Sequence, residues 1–185
     1  MYREVIEAAK DKMQKTIHVF QAELRSIRAG RANPQLLERV MVDYYGTATP
    51  LTQMGNVSAP EPRMLLVNVW DQSALAQVEK AILKSDLGLN PSNDGKVIRL
   101  IVPELTEERR KDLTKHVSKT AEEAKVAVRA IRRDAMEHVK KQEKDSVITE
   151  DDLKIAEKKI QEATDEAVKH IDELAAAKDK EIMEV

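Results

Sequence analysis

The sequence contains no cysteine, so it offers no disulfide, no thiolate nucleophile and no thiolate metal ligand, which fits a reducing compartment. Aromatic residues are scarce at 3%, against 35% charged, a mixture that suits long helices with thin apolar seams better than a thick globular core. The same scarcity removes the stacking platforms on which splayed single-stranded bases are held. No run of about 18 apolar residues exists, so no helical membrane span is expected. The amino terminus, MYREVIEAAKDKM, is amphipathic and carries acids. It resembles neither a secretory signal nor an organelle leader, and the expectation is a soluble cytoplasmic protein. No phosphate-binding loop, dinucleotide fingerprint or nucleophile elbow is present. The four histidines, His18, His116, His138 and His170, do not pair at the i, i+4 spacing of a helical metal site. A non-enzymatic chain without catalytic residues, metal or cofactor is expected.

Glycine and proline are not only few but confined. All five glycines and all six prolines lie between Gly30 and Pro103. Outside that window the sequence is free to be helix, and its apolar pattern says that it is. Ile6, Ala9, Met13, Ile17, Phe20, Leu24 and Ile27 recur at steps of three and four, predicting a helix over 2–29. Leu113, Val117, Thr120, Ala124, Val128, Ile131, Ala135 and Val139 trace one stripe down a second helix over 106–145. That helix is about 60 Å long at 1.5 Å per residue. Thr106 is its expected N-cap, with Glu107 and Glu108 in the first turn and Lys140, Lys141 and Lys144 at the far end, matching the helix dipole. Thr149 caps a third helix whose seam is Leu153, Ala156, Ile160, Ala163, Ala167, Ile171 and Leu174. No helix with so narrow a seam can bury it alone. Three can, as a bundle, and the short turn at 146–149 makes the second and third antiparallel.

The window between the first two helices has a different texture. Val40–Tyr45 predicts a strand, Gly46 a turn, and Thr47–Leu51 a second strand. Pro60 and Pro62 mark a loop, and Arg63–Trp70 is the best strand in the chain. Asp71 and Ser73 offer caps for a helix to about Leu87, ended by Gly88. Asn93-Asp94-Gly95 is a turn, and Val97–Val102 the last strand. The expected class is therefore α+β: a bundle from 1–30 plus 106–185, with a small β/α/β domain inserted over 31–105. The two crossings, near Arg31–Pro34 and Val102–Leu105, carry Gly30, Asn33, Pro34, Pro103 and Leu105 and are expected to act as a hinge in a bent, L-like molecule.

The overall charge of −2 hides an uneven distribution. Residues 106–145 carry twelve basic against nine acidic side chains, whereas 149–185 carry six against twelve. Such a rod presents one face to a polyanion, or its basic and acidic helices pair with each other. Lys125, Arg129 and Arg132 fall at i, i+4 and i+7 with Arg133 adjacent, and are expected to form an exposed strip. Arg25, Arg28 and Arg31 step by three toward Arg109, Arg110 and Lys111. Arginine suits phosphate because its planar fork donates two parallel hydrogen bonds. With no aromatics to stack on bases, such contacts would recognise phosphate and shape.

Five stretches, IRAGRANP (Ile27–Pro34), DYYGTATPL (Asp43–Leu51), SDLGLNP (Ser85–Pro91), LTEERRKDLTK (Leu105–Lys115) and EEAKVAVRAIRRDA (Glu122–Ala135), resemble the bacterial ribosome recycling factor family in order and spacing. The family's usual threonine in the first motif is Ala29 here, and the arginines on either side remain. The resemblance implies a three-helix-bundle arm joined by a flexible elbow to a β/α/β arm, tRNA-like in outline. It implies a monomeric cytoplasmic translation factor that binds the large subunit of the 70S ribosome through ribosomal RNA. With elongation factor G and GTP hydrolysed by that partner, it would split the post-termination complex, and initiation factor three would then help clear the small subunit. By the family's pattern the principal RNA contact is Arg132, with Arg129 and Arg133 beside it and Arg28 and Arg31 as a second contact; Lys125 joins them as an expected RNA contact by its spacing on the same strip. On the small arm, Tyr44, Tyr45 and the Gly46 turn stand out, as core packing around a tight turn or as a surface that receives the push. A competing class is a non-enzymatic coiled-coil adaptor outside the ribosome, which would need neither the inserted domain nor the repeated arginines.

Overall fold

The computed structural model describes every residue except Arg28, Ala29, Asp86 and Val185. Three long helices account for one compact unit: α1 (Tyr2–Ser26), α3 (Glu107–Lys144) and α4 (Glu150–Met183). The segment between α1 and α3 forms the other.

Each pair of long helices is in contact, so every seam is buried against two partners. The buried faces carry Val5, Ile6, Ala9, Met13, Ile17, Phe20 and Leu24 on α1; Leu113, Val117, Ala121, Ala124, Val128, Ala135 and Val139 on α3; and Ala156, Ile160, Ala167 and Ile171 on α4. Phe20, at 1% exposed, is fully buried in this core, and half-buried Tyr2 packs against one end of it. The abundance of alanine lets the helices approach closely, which gains dispersion contacts that a wider spacing would forfeit. Thr120 and Thr164 are buried too, and each hydroxyl donates to the carbonyl one turn back, His116 and Ile160, both at 2.8 Å. Neither therefore leaves an orphaned polar group inside.

The helix ends follow local chemistry. The Thr106 hydroxyl accepts from Arg109 N at 3.1 Å and starts α3. Thr149 and Asp152 form a reciprocal capping box on α4. Between them the Gln142 carbonyl accepts from both Val147 N (2.8 Å) and Ile148 N (3.3 Å), and Ser146 turns the chain at φ 58°. Ile148 is buried with Val5, Ile6, Ala9, Val139 and Ile160, which plugs that end of the bundle. At the other end Arg110 Nη1 donates to Met183 O at 3.1 Å, a cation on the carbonyl end of α4. Helix α1 stops three residues short of the expected 29, because Ile27 is already extended and Gly30 follows at φ 76°.

The second unit contains a hairpin of β1 (Met41–Tyr44) and β2 (Thr47–Pro50), a four-stranded antiparallel sheet, and α2 (Leu75–Lys84). The sheet runs β3 (Gly55–Glu61), β4 (Met64–Val69), β6 (Val97–Ile101), β5 (Pro91–Asn93). Alternation along β4 and β6 sends Leu65, Val67, Val69, Ile98 and Leu100 inward, where they meet Val78 and Ile82 of α2 and Val42 of β1. Two strands are additions to the sequence reading. The segment holding Pro60, expected as a loop, belongs to β3. It is an edge strand, and the pairing with β4 shifts between Ser58 and Glu61, so the missing N–H is tolerated. Strand β5 is three residues long, too short to show a period. Helix α2 also ends early: Ser85 is extended, and its hydroxyl donates to Ile82 O at 2.6 Å, so the stop is a serine and not Gly88.

A Cβ on Gly55 would lie 2.2 Å from the Asn68 carbonyl oxygen, a backbone atom that cannot step aside. Gly55→Ala should therefore destabilise the sheet by more than about 2 kcal/mol, read as a lowered urea midpoint in the fluorescence of Trp70, the sole tryptophan. Asp179 is pushed up by desolvation, and its Oδ1 is buried without a partner near the carbonyl end of α4. A carboxyl raised in the native state costs stability above its native pKa and costs none below its ordinary value of 3.8. Asp179→Asn should raise the thermal midpoint at pH 7, and the gain should vanish in acid below that value.

Candidate nucleic-acid interface

Lys125, Arg129 and Arg132 flank the buried stripe of α3 on the side that faces α4. That placement divides their fates. Lys125 Nζ lies 2.6 Å from Asp172 Oδ1 and 3.0 Å from Glu122 Oε1, and its side chain is only 14% exposed. The hydrogen bonds from Asp172 first and Glu122 second raise its pKa above the ordinary lysine value. Lys125 is thus charged but internally neutralised, and the expectation of an exposed strip fails at this residue. Half-buried Arg132 donates from Nη1 to Gln161 Oε1 at 2.9 Å, and Gln161 Nε2 donates onward to Asp165 Oδ1 at 2.9 Å. A neutral amide holds the guanidinium in place and leaves its charge intact. Its Nε is out of water with no partner. Arg129 and Arg133 are exposed. Among the described residues, no carboxylate lies within ion-pair distance of Arg129, Arg132 or Arg133. Arg129 and Arg132 overlook an open groove of about 700 Å³ toward α4, with Asp165, Asp172 and Lys169 opposite.

The second arginine group is not one helical face. Arg25 is in the last turn of α1, Arg28 lies outside the described residues, and Arg31 is exposed beyond Gly30 in the other unit. Arg110 is engaged in capping α4. The linker residues expected as a hinge are tied to the small unit on both sides of the β3–β4 turn. Ala32 N donates to Pro62 O and Val102 N donates to Arg63 O, both at 2.7 Å, and Arg63 pairs with Glu104 at 3.3 Å. Asn33 Oδ1 accepts from Gln35 N at 3.0 Å and caps a short 3-10 turn that begins at Pro34. Pro103 is exposed and Leu105 half-buried.

A third cluster occupies the small unit. The Tyr44 hydroxyl donates to Asp71 Oδ2 at 2.7 Å, and the Ser73 hydroxyl donates to Asp71 Oδ1 at 2.6 Å. These two bonds, Ser73's first, hold the Asp71 carboxyl below the usual carboxylate range, while the same Asp71 bond raises Tyr44. The Tyr45 hydroxyl sits 3.2 Å from Ser73 Oγ.

Gln161, Asp165 and Asp172 were absent from the sequence reading. A signal for them existed: Lys125 and Arg132 are seven apart on α3, as Asp172 and Asp165 are on antiparallel α4. Matched heptad steps of opposite charge on antiparallel neighbours are what such a pairing requires. Only the register was missing.

The chain is an α+β protein, a long three-helix bundle interrupted by a small antiparallel sheet, with Arg129, Arg132 and Arg133 free of ion pairs among the described residues along one helix. Residues 20–183 match the family described as Ribosome recycling factor. The chain is 54% identical over 185 residues to the ribosome-recycling factor of Clostridium perfringens, covering 100% of both chains. It is 56% identical over 182 residues to that of Caldicellulosiruptor bescii, covering 98% of this chain and 99% of the relative. Among solved structures, a solution structure of the ribosome recycling factor is similar at TM-score 0.75 and 40% identity, over 100% of this chain and 98% of the other. A second, at TM-score 0.61 and 48% identity with 98% of each chain covered, is described as models for the T. thermophilus ribosome recycling factor and the E. coli elongation factor G bound to the E. coli post-termination complex. This chain belongs to the ribosome recycling factor family.

The Lys125–Asp172 bridge should contribute up to about 1 kcal/mol to bundle stability, since one partner is half exposed. Asp172→Asn is expected to lower the urea midpoint of helix unfolding, followed by far-ultraviolet circular dichroism. The loss should be largest below lysine's ordinary value of 10.5 and close as pH rises through the raised Lys125 pKa.

Proposed function

We propose that this chain recycles ribosomes after termination. The bundle unit binds ribosomal RNA of the large subunit. With elongation factor G, which hydrolyses the GTP, the chain separates the post-termination ribosome into subunits, and initiation factor three helps clear the small one. The observation that carries this reading is 54% identity across the full length of a named ribosome-recycling factor. The complex described for the T. thermophilus relative, with elongation factor G on a post-termination ribosome, supports the same partners here. In this reading the chain acts as a monomer in the cytoplasm, binds no membrane and performs no catalysis of its own.

The RNA contact rests on Arg132, with Arg129 and Arg133 beside it. Arg132 is pre-oriented by Gln161 without being neutralised, which spares the entropy of ordering a free arginine and keeps its charge for phosphate. Lys125 serves the bundle instead, and its contribution to RNA binding is indirect. Arg31 and Arg28 form the second contact. The hinge lies in the two linkers. Because Ala32 and Val102 are bonded to the β3–β4 turn and Glu104 pairs with Arg63, the hinge rotations fall before Ala32, through Gly30, and after Glu104, at Leu105. Gly30 has φ 76°, which glycine adopts without the cost a side chain would add.

The test is light scattering of purified post-termination ribosomes mixed with the chain, its cognate elongation factor G and GTP. A fall in scattering that needs all three components supports the reading, and no fall with folded components overturns it. Arg132→Ala should weaken ribosome binding about tenfold or more, with the bundle still folded by far-ultraviolet circular dichroism and a shallower salt dependence. Wild-type affinity for Arg132→Ala at matched salt would remove Arg132 from the interface.

A further inference from the structure

The chain has one tryptophan, one phenylalanine and three tyrosines, and two of these five, Tyr44 and Tyr45, stand side by side at a single turn. That turn joins β1 to β2, and Tyr44 is bonded to Asp71. Aromatics are scarce elsewhere, and here one is left in solvent: Tyr45 is 80% exposed.

Tyr45 also stands where its backbone is expensive. The hairpin closes through Tyr45 and Gly46 at φ 50° and 83°, a two-residue turn that wants left-handed geometry at both positions. Asparagine or aspartate meets that demand cheaply at the first position, and tyrosine does not. The ring is then held: it packs edge-on against Tyr44 at 4.6 Å, and its hydroxyl meets Ser73 Oγ, itself bonded to Asp71. A strained backbone that presents a fixed, solvated aromatic ring stores its cost for a contact made outside the molecule. Rigid exposed tyrosine and tryptophan are the side chains on which protein interfaces concentrate their binding energy.

The charge around the tip selects the partner. Asp43, exposed beside the turn, accepts from Gly46 N at 3.0 Å, and Asp71 lies under the tyrosines. Residues 32–105 carry eight acids against six Lys and Arg. Ribosomal RNA would bring phosphates to these carboxylates, whereas an arginine or lysine would find both an aromatic face and a carboxylate. We infer that the Tyr45 turn, with Asp43 and Asp71 beside it, is a docking point for a basic protein segment of the recycling complex, the ring of Tyr45 receiving a cationic side chain.

This deepens the proposed function and rests on it. In the experiment, Tyr45→Asn removes the ring and gives the turn a residue it favours, so the fold is retained and its urea midpoint is unchanged or raised. With purified post-termination ribosomes, cognate elongation factor G and GTP, this variant should split ribosomes about tenfold more slowly or worse, while Tyr45→Phe keeps most of the rate. A photo-crosslinking benzoylphenylalanine placed at position 45 should attach to a lysine- or arginine-bearing peptide of a protein. Splitting by Tyr45→Asn at the wild-type rate, or a crosslink to RNA, overturns the docking point while leaving the recycling activity standing. A wild-type chain that splits nothing overturns the function itself.

Discussion

No helix of the bundle can exist in its folded form without the other two. Each carries a stripe about one residue wide and made largely of alanine, valine and isoleucine, and a stripe of that width hides from water only in the groove between two neighbours. Helix propensity alone leaves long helices frayed, and it is the shared seam that turns three of them into one object. The polar features inherit their positions from it. Thr120 and Thr164 can be buried because the helices supply their own acceptors. Lys125 meets Asp172, and Arg132 meets Gln161, because closing the seam brings those faces of α3 and α4 together.

The inserted unit depends on a different economy. Its core is a conventional sheet-and-helix sandwich, and its hairpin is tied to the loop before α2 through Tyr44, Asp71 and Ser73. Both linkers are bonded at the β3–β4 turn, on adjacent residues Pro62 and Arg63. Chain entering and chain leaving are therefore anchored at one place, which is what allows a folding unit to be spliced between two helices without disturbing either.

The long elements were legible in the sequence because period, caps and end charges all agree over many residues. The stripe of α3 lies where the three-and-four spacing puts it, and Thr106 and Thr149 cap as their positions suggest. What escaped had weak local signals. β3 contains Pro60 and so looks like a loop until it is known to lie at a sheet edge. β5 is too short for a period. The end of α2 turns on a serine hydroxyl reaching its own helix, where Gly88 offered the more obvious stop. At the candidate interface, the arginine spacing was visible, but the burial of Lys125 was not, because it depends on a residue 47 positions away that only the α3–α4 register brings near. Arg132 differs from Arg129 and Arg133 for the same reason.

That register is fixed at the turn after α3, where one carbonyl, that of Gln142, takes both Val147 N and Ile148 N. The two polar ties between α3 and α4 then fall about 10 Å apart along the axis. Together with the Arg110 cap on Met183, they lie across the interface like rungs. Sliding one helix past the other by a single turn would break all of them at once and misplace every alanine in the seam. The α3–α4 pair is therefore keyed against sliding, as a ratchet is by its teeth.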